Sequence, residues 1–187
     1  MRRDFAADAL RVRVLEDGDA LAASAAADAA RLLRRAISER GVAHAMFATG
    51  NSQVAFLAAL VREADVDWSR VIGFHMDEYV GIAADHPASF RRYLRERLVE
   101  RVPIGDFYYV EGDAPDPGAA CRAYAALLHD HPLDVCCLGI GENGHLAFND
   151  PPVADFHDPL DVKLVTLDDA CRRQQVGEGH FPDVAAV

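Results

Sequence analysis

Residues 133–150 read LDVCCLGIGENGHLAFND, a short apolar run followed by a turn that contains three glycines. Glycine takes positive φ readily and lets the backbone approach a ligand closely. The turn presents one histidine, His145, between an acid–amide pair and an asparagine–aspartate pair. Because an imidazole titrates near neutral pH, this stretch predicts a strand that ends at a site with acid–base chemistry.

Short apolar runs alternate with helical patterns along most of the chain. The predicted strands are 11–15, 42–48, 71–75, 107–110, 133–138 and 162–167, and the predicted helices are 20–40, 53–64, 89–101 and 119–129. Such alternation with short connections predicts an α/β fold, a three-layer, doubly wound, mostly parallel sheet of the Rossmann-like type. We expect residues 1–187 to form a single α/β domain.

The composition restricts the partners and the compartment. The formal net charge is −11, and nucleic-acid binding needs clustered lysine and arginine, so we expect no nucleic-acid partner. No segment approaches the roughly 18 consecutive apolar residues of a membrane helix, and the N-terminus lacks the apolar core of a signal peptide. None of the four cysteines has C-x-x-C spacing. We therefore expect a reduced, cytoplasmic protein with no membrane partner.

Three polar clusters each follow a predicted strand. The first consists of Thr49, Gly50, Asn51 and Ser52, the second spans 77–79, and the third spans 142–150. In an open parallel sheet, ligands bind beyond the carboxyl ends of the strands, where the strand order reverses. We therefore expect the three clusters to meet at one edge of the sheet and to form a single site.

Each cluster also has a simpler structural interpretation. The segment 49–52 is either an anion cradle at a helix N-terminus or an ordinary turn in which Asn51 or Ser52 caps the helix. Asp77 is either a base or part of a solvated turn. A lone histidine is often a core residue, but the acidic and amide neighbours of His145 favour an acid–base role. The sequence shows no metal-ligand spacing.

Three stretches resemble the glucosamine-6-phosphate deaminase (isomerase) family. They are FHMDEYVG at 74–81, HPASF at 86–90 and LGIGENGHLAFNDP at 138–151, and the similarity extends from about Val42 to Leu167. The family shares its fold with 6-phosphogluconolactonases. The Asp-Glu-Tyr-Val-Gly and Ala-Phe-Asn-Asp-Pro stretches favour the deaminases.

The resemblance implies a reaction and a role for each site residue. Glucosamine 6-phosphate and water would give fructose 6-phosphate and ammonia, without a cofactor or a metal. Asp77 would move a proton between C2 and C1 of the opened sugar, and His145 would open the ring. Asn143 and Asp150 would tune and orient His145, and Glu78 would be structural. The substrate and its phosphate would be bound by Thr49, Gly50, Asn51, Ser52 and Gly144.

The chain also departs from the family pattern. The family's Asn-x-Arg-Phe-Phe segment, whose arginine grips phosphate, appears here as residues 177–181, GEGHF. Arg172 and Arg173 are the candidates to replace that arginine. Lys163 is the sole lysine, and family members usually continue past this point. We therefore expect that the C-terminal part of the family fold is absent and that an exposed sheet edge favours a homo-oligomer.

Two other functions stay open at this point. The first is a sugar-phosphate-binding sensor that does not turn its ligand over, because the expected phosphate anchors are incomplete. The second is a 6-phosphogluconolactonase-like hydrolase, because the fold is shared.

Overall fold

The computed structural model of the chain describes residues 3–177, 179 and 181–187. The strands are β1 (Arg3–Ala7), β2 (Leu10–Val14), β3 (Ala43–Phe47), β4 (Val71–His75), β5 (Asp106–Tyr108) and β6 (Val135–Cys137). The helices are α1 (Gly18–Arg40), α2 (Asn51–Leu60), α3 (Phe90–Leu94, continued as a π-helix over Arg95–Val99), α4 (Pro117–Asp130) and α5 (Asp169–Gly177). Short 3₁₀ turns lie at Trp68–Arg70 and Val184–Ala186.

A four-stranded parallel sheet with the order β5-β4-β3-β6 forms the centre of the fold. Successive units place β4 and β5 on one side of β3, and β6 then returns to the other side. The strand order thus reverses between β3 and β6, which is where open α/β sheets bind ligands. β1 and β2 form a separate antiparallel hairpin. The predicted α/β class with a parallel sheet is confirmed.

The two faces of the sheet are covered differently. On one face, α1 and α2 pack over β3, and the small side chains Ala26 and Ala30, both fully buried, let α1 approach closely. On the other face, α4 contributes Tyr124, whose ring lies edge-on to Phe74 at a centroid distance of 6.3 Å. The Tyr124 hydroxyl donates to the carbonyl of His75, 2.6 Å away. These contacts make the three layers that the sequence predicted.

Both ends of α1 carry local stop and start signals. Asp17 accepts a hydrogen bond from the amide of Ala20 at 2.8 Å, so the helix begins two residues before the predicted start. Gly41 ends it with a φ of 81°, a conformation that glycine adopts without strain. The predicted strand at 71–75 is also confirmed.

Near the C-terminal end, one predicted strand was wrong and one helix was missed. Residues 162–167 form no strand, because no described strand pairs with them, and Leu164 is 54% exposed. The alternation of apolar residues there is not sufficient without a hydrogen-bonding partner. The helix α5 was not predicted, although Asp168 begins it by accepting from the amide of Cys171 at 2.7 Å. Among the described residues, no helix combines the length and apolar character that crossing a bilayer requires.

The carboxylate of Glu78 ties the end of β4 to the start of α3. It is fully buried and accepts from the Ser89 hydroxyl at 2.8 Å and from the amides of Phe90 and Arg91 at 3.1 and 2.9 Å. The Arg91 Nε lies 3.6 Å from the same carboxylate. This arrangement supports the structural role that the resemblance implied for Glu78.

We expect Glu78→Ala to lower the free energy of unfolding by about 3 kcal/mol or more, because it leaves the buried Ser89 hydroxyl and the amides of Phe90 and Arg91 without their acceptor. Urea denaturation of the purified protein measures this. The control is Glu96→Ala, which removes an exposed carboxylate paired with Arg92 and should leave stability nearly unchanged. Equal stability of the two variants would contradict the anchoring role.

Candidate active site

A cavity opens at the carboxyl ends of β3, β4 and β6. All three predicted clusters contribute to its wall, so the structure brings them together as expected. The predicted residues that line it are Thr49, Gly50, Asn51, Ser52, Asp77 and His145. The aromatic rings of Phe90 and Phe148, 5.8 Å apart and stacked, form an apolar wall beside them.

The segment 49–52 joins β3 to α2 and exposes a helix N-terminus to the cavity. Gly50 occupies the N-cap position with a φ of 94°, and no side chain caps the helix. The expectation that Asn51 or Ser52 caps α2 was therefore wrong; the Ser52 hydroxyl instead accepts from the Gln53 carboxamide at 3.0 Å. Since a helix N-terminus carries partial positive charge, this end of the cavity favours an anion.

Asp77 follows β4 and lies on the cavity wall, half-buried. Burial, and to a smaller extent the nearby charge of Glu78, raise the pKa of this carboxyl from 3.8 to about 7. A carboxylate whose pKa lies near neutral pH takes up and releases protons under physiological conditions. It therefore has the properties of a general base.

The imidazole of His145 lies at the cavity wall, and its Nδ1 is close to Asp150. Nδ1 and the Asp150 Oδ1 are 3.0 Å apart, and the side chains are 9% and 1% exposed. The approach is off the direction of a hydrogen bond, so Nδ1 has no hydrogen-bond partner among the described residues.

A network of hydrogen bonds holds the Asp150 carboxylate in position. The Asn143 carboxamide donates to Asp150 at 3.0 Å and to Asp168 at 3.2 Å, and the Asp168 amide donates to Asp150 at 3.0 Å. The Asn143 Oδ1 in turn accepts from the amide of His145 at 3.1 Å. Asn143 and Asp150 are thus placed to orient His145. Asp168 was missed by the sequence analysis, since only the fold brings it to this network.

The glycine at position 141 is required by the packing of His145. A Cβ there would lie 2.3 Å from the imidazole Cε1 and Nε2, far inside contact distance. Gly144 has a φ of 88° and shapes the turn, but it lines a neighbouring groove and not this cavity.

The helix α5 supplies two cavity residues that the sequence analysis missed, Gln174 and Gln175. The Gln175 Oε1 accepts from the Tyr79 hydroxyl at 2.5 Å, and the Gln174 Oε1 accepts from the amide of Glu142 at 3.3 Å. The capping aspartate at 168 is the signal that predicts this helix. Since neither residue is charged, α5 brings polar amides to the cavity where a cation was expected.

The expected phosphate-gripping cations do not line the cavity. Arg173 is exposed, and Arg172 and Lys163 line the neighbouring groove, where the Lys163 Nζ donates to Asp158 at 2.6 Å. No lysine or arginine of the described ranges belongs to the cavity wall. The GEGHF segment at 177–181 includes two positions, 178 and 180, that lie outside the described residues.

Comparison with known sequences identifies the family. Residues 16–152 match the family of glucosamine-6-phosphate isomerases and 6-phosphogluconolactonase. A glucosamine-6-phosphate deaminase from Exiguobacterium sp. is 38% identical over 138 residues, 72% of this chain and 54% of that protein. One from Listeria innocua is 36% identical over 140 residues, 75% of this chain and 58% of that protein. The chain thus spans little more than half the length of these relatives.

Solved structures give the same assignment. A monomeric glucosamine-6-phosphate deaminase superposes with a TM-score of 0.81 and 27% identity, over 92% of this chain and 70% of that one. A 6-phosphogluconolactonase from Shewanella baltica superposes with a TM-score of 0.64 and 28% identity, over 71% of this chain and 57% of that one. The chain belongs to the family of glucosamine-6-phosphate isomerases and 6-phosphogluconolactonases.

Proposed function

We propose that this chain carries the active site for isomerisation and deamination of an amino-sugar phosphate, converting glucosamine 6-phosphate and water to fructose 6-phosphate and ammonia. The observation that carries the proposal is the meeting of Asp77, His145 and the N-terminus of α2 in one cavity. The sequence relatives named above, which are glucosamine-6-phosphate deaminases, support the same substrate.

His145 opens the sugar ring in this mechanism. The imidazole accepts the proton of the C1 hydroxyl and returns it to the ring oxygen as the ring bond breaks, which leaves a free aldehyde. The transfer needs an imidazole held in a fixed position, and the carboxylate of Asp150, 3.0 Å from Nδ1, helps to hold the ring in place. Asn143 holds both partners, through its contacts with the His145 amide and with Asp150.

Asp77 carries out the isomerisation. Its carboxylate removes the proton from C2 of the open-chain sugar and delivers it to C1, while a proton passes from the amine nitrogen to O1, so that C2 becomes an imine and C1 a hydroxymethyl group. Water then adds to the imine at C2, and ammonia leaves as the ketone forms. The raised pKa of Asp77 suits both halves of the transfer, because the group accepts a proton and gives it up again at similar cost.

The phosphate binds at the N-terminus of α2 in the proposed complex. The uncapped helix end, the glycine at position 50 and the hydroxyls of Thr49 and Ser52 provide donors without a lysine or arginine. Tyr93 steadies this loop, since its hydroxyl donates to the Gly50 carbonyl at 2.9 Å. The absence of a cation among the described wall residues is also what favours the second candidate, a sensor that binds the sugar phosphate without turnover.

We infer a cytoplasmic location, because a charged sugar phosphate does not cross a bilayer freely.

We also infer self-association. Among the described residues β6 pairs on one side only, and the adjoining Ile140 is 76% exposed. The related deaminase of known structure is described as monomeric. Sedimentation equilibrium measures the oligomeric state. A mass of one chain at all protein concentrations would contradict self-association.

An ammonia-release assay with glucosamine 6-phosphate tests the proposed function. We expect Asp77→Asn and His145→Gln each to lower kcat by roughly 10²- to 10⁴-fold, the usual contribution of an acid–base group. The control Asp65→Asn changes an exposed carboxylate and should leave kcat unchanged. Ligand-induced thermal stabilisation without ammonia release would select the sensor, and hydrolysis of 6-phosphogluconolactone without ammonia release would select the lactonase.

The pH dependence of the wild-type rate follows from Asp77. The base must be ionised, and its pKa is raised to about 7, so kcat/KM should fall as the pH drops through about 7. A rate that stays constant between pH 5 and 8 would contradict the role of Asp77 as the base.

We expect Gly141→Ala to lower kcat on the order of 100-fold, because the added methyl displaces the His145 imidazole by about an ångström or more. Circular dichroism checks that the fold is retained. The matched control is Gly18→Ala, where the added methyl meets nothing within 4 Å. Wild-type turnover in Gly141→Ala would show that the position of the imidazole is not critical.

A further inference from the structure

His145, Asp150 and Cys171 form a cluster of three side chains that can each bind a metal ion. The Sγ of Cys171, the imidazole nitrogen of His145 and a carboxylate oxygen of Asp150 all lie within 4.8 Å of one another. Cys171 and Asp150 are each 1% exposed, and the His145 side chain is 9% exposed. Thiolate, imidazole and carboxylate are the three ligand types that Zn²⁺ takes from proteins.

The unsatisfied nitrogen of His145 points to a ligand at this cluster. Nδ1 is buried and has no hydrogen-bond partner among the described residues, although the Asp150 carboxylate is 3.0 Å away. Buried polar atoms in folded proteins are rarely left without a partner. An ion placed between Nδ1, the carboxylate and the thiol would satisfy this nitrogen.

We propose that His145, Asp150 and Cys171 form a binding site for a thiophilic divalent cation such as Zn²⁺. A tetrahedral zinc ion with bonds of about 2.0–2.3 Å holds its ligands roughly 3.5 Å apart, so the site closes around the ion by about an ångström. Three protein ligands leave the fourth position for water. The proton of the Cys171 thiol goes to solvent as the ion binds.

The surroundings of the cluster favour a cation and hold its ligands in place. Asp168 adds a second carboxylate nearby, accepting from the amide of Cys171 at 2.7 Å and from the Asn143 carboxamide at 3.2 Å. Each Asp150 oxygen accepts one N–H, from Asn143 and from the Asp168 amide, and so keeps a lone pair for a metal. Partners of this kind orient metal ligands in proteins. The ion reaches the cluster through the cavity, since His145 lines it.

Occupancy has a consequence that rests on the proposed function. A metal on His145 holds the imidazole in one position and places a positive charge against it. The ring then no longer accepts the proton of a sugar hydroxyl, so the site acts as an inhibitory switch that responds to free zinc. The reaction itself needs no metal in this scheme.

Cobalt binding tests the site without relying on turnover. Protein without a histidine tag is treated with a chelator, dialysed and titrated with Co²⁺ while the absorption spectrum is recorded. We expect one Co²⁺ per chain and a thiolate-to-cobalt charge-transfer band. Cys171→Ser should abolish the band, and Asp150→Asn should weaken binding at least about tenfold. The control Cys136→Ser changes an exposed thiol and should keep the band.

Two results would overturn the proposal. One is the absence of a charge-transfer band in the wild-type protein, and the other is a band that persists in Cys171→Ser and so comes from another cysteine. If Cys171→Ser does not fold, His145→Gln provides a second test, because Co²⁺ binding with unchanged affinity in that variant would show that His145 is not a ligand and would overturn the proposal. If the protein binds Co²⁺ as expected but the chelator-treated, metal-free protein releases no ammonia, the proposed function is refuted and the metal site stands.

Discussion

The parallel pairing of β3 with β4 on one side and with β6 on the other is the constraint on which the site depends. Phe47 at the end of β3 pairs with His75 and with Cys137, so all three strands end at the same level. The next residues of each strand then enter the same space. This is why Thr49, Asp77 and His145, which are far apart in the chain, line one cavity.

The same burial that suits Asp77 to catalysis costs stability. Its pKa in the folded protein is about 7, above the 3.8 of the unfolded chain, so the folded state holds its proton more tightly between these values. The contribution of Asp77 to the free energy of unfolding is therefore fully present below about pH 4, and it is lost as the pH rises through 7. The anchor formed by Glu78, one residue away, opposes that loss by fixing the loop that presents Asp77.

Periodicity predicted the sheet well, because strands such as 71–75 are buried on both sides and carry continuous apolar runs. It failed at 162–167, where the same kind of pattern has no strand to pair with among the described residues. A strand depends on hydrogen bonds from a neighbour, and a single sequence does not state which neighbours are present.

The part of the site that follows the strands was predictable from the order of the strands in the chain. Residues that directly follow strands, such as Asp77 and His145, can be assigned to one edge once the topology is known. Gln175 reaches the site from α5, and Asp168 precedes that helix; both are distant in sequence from the strand ends, and no local pattern links them to the site. Arg172 and Arg173 were the candidates to replace the phosphate-binding arginine, but α5 presents glutamines to the cavity. The side of a helix that faces a site is set by packing, which local sequence does not reveal.

We expect a single cavity to hold the phosphate at α2 and the reacting carbons between Asp77 and His145. A crystal structure of Asp77→Asn with glucosamine 6-phosphate tests it most directly, because the variant should bind without turning over. We expect the phosphate at the amides of residues 51–53, and C1 and C2 beside position 77 and the His145 imidazole. Phosphate bound in the neighbouring groove against Arg172 or Lys163, with the cavity unoccupied by sugar, would contradict the account.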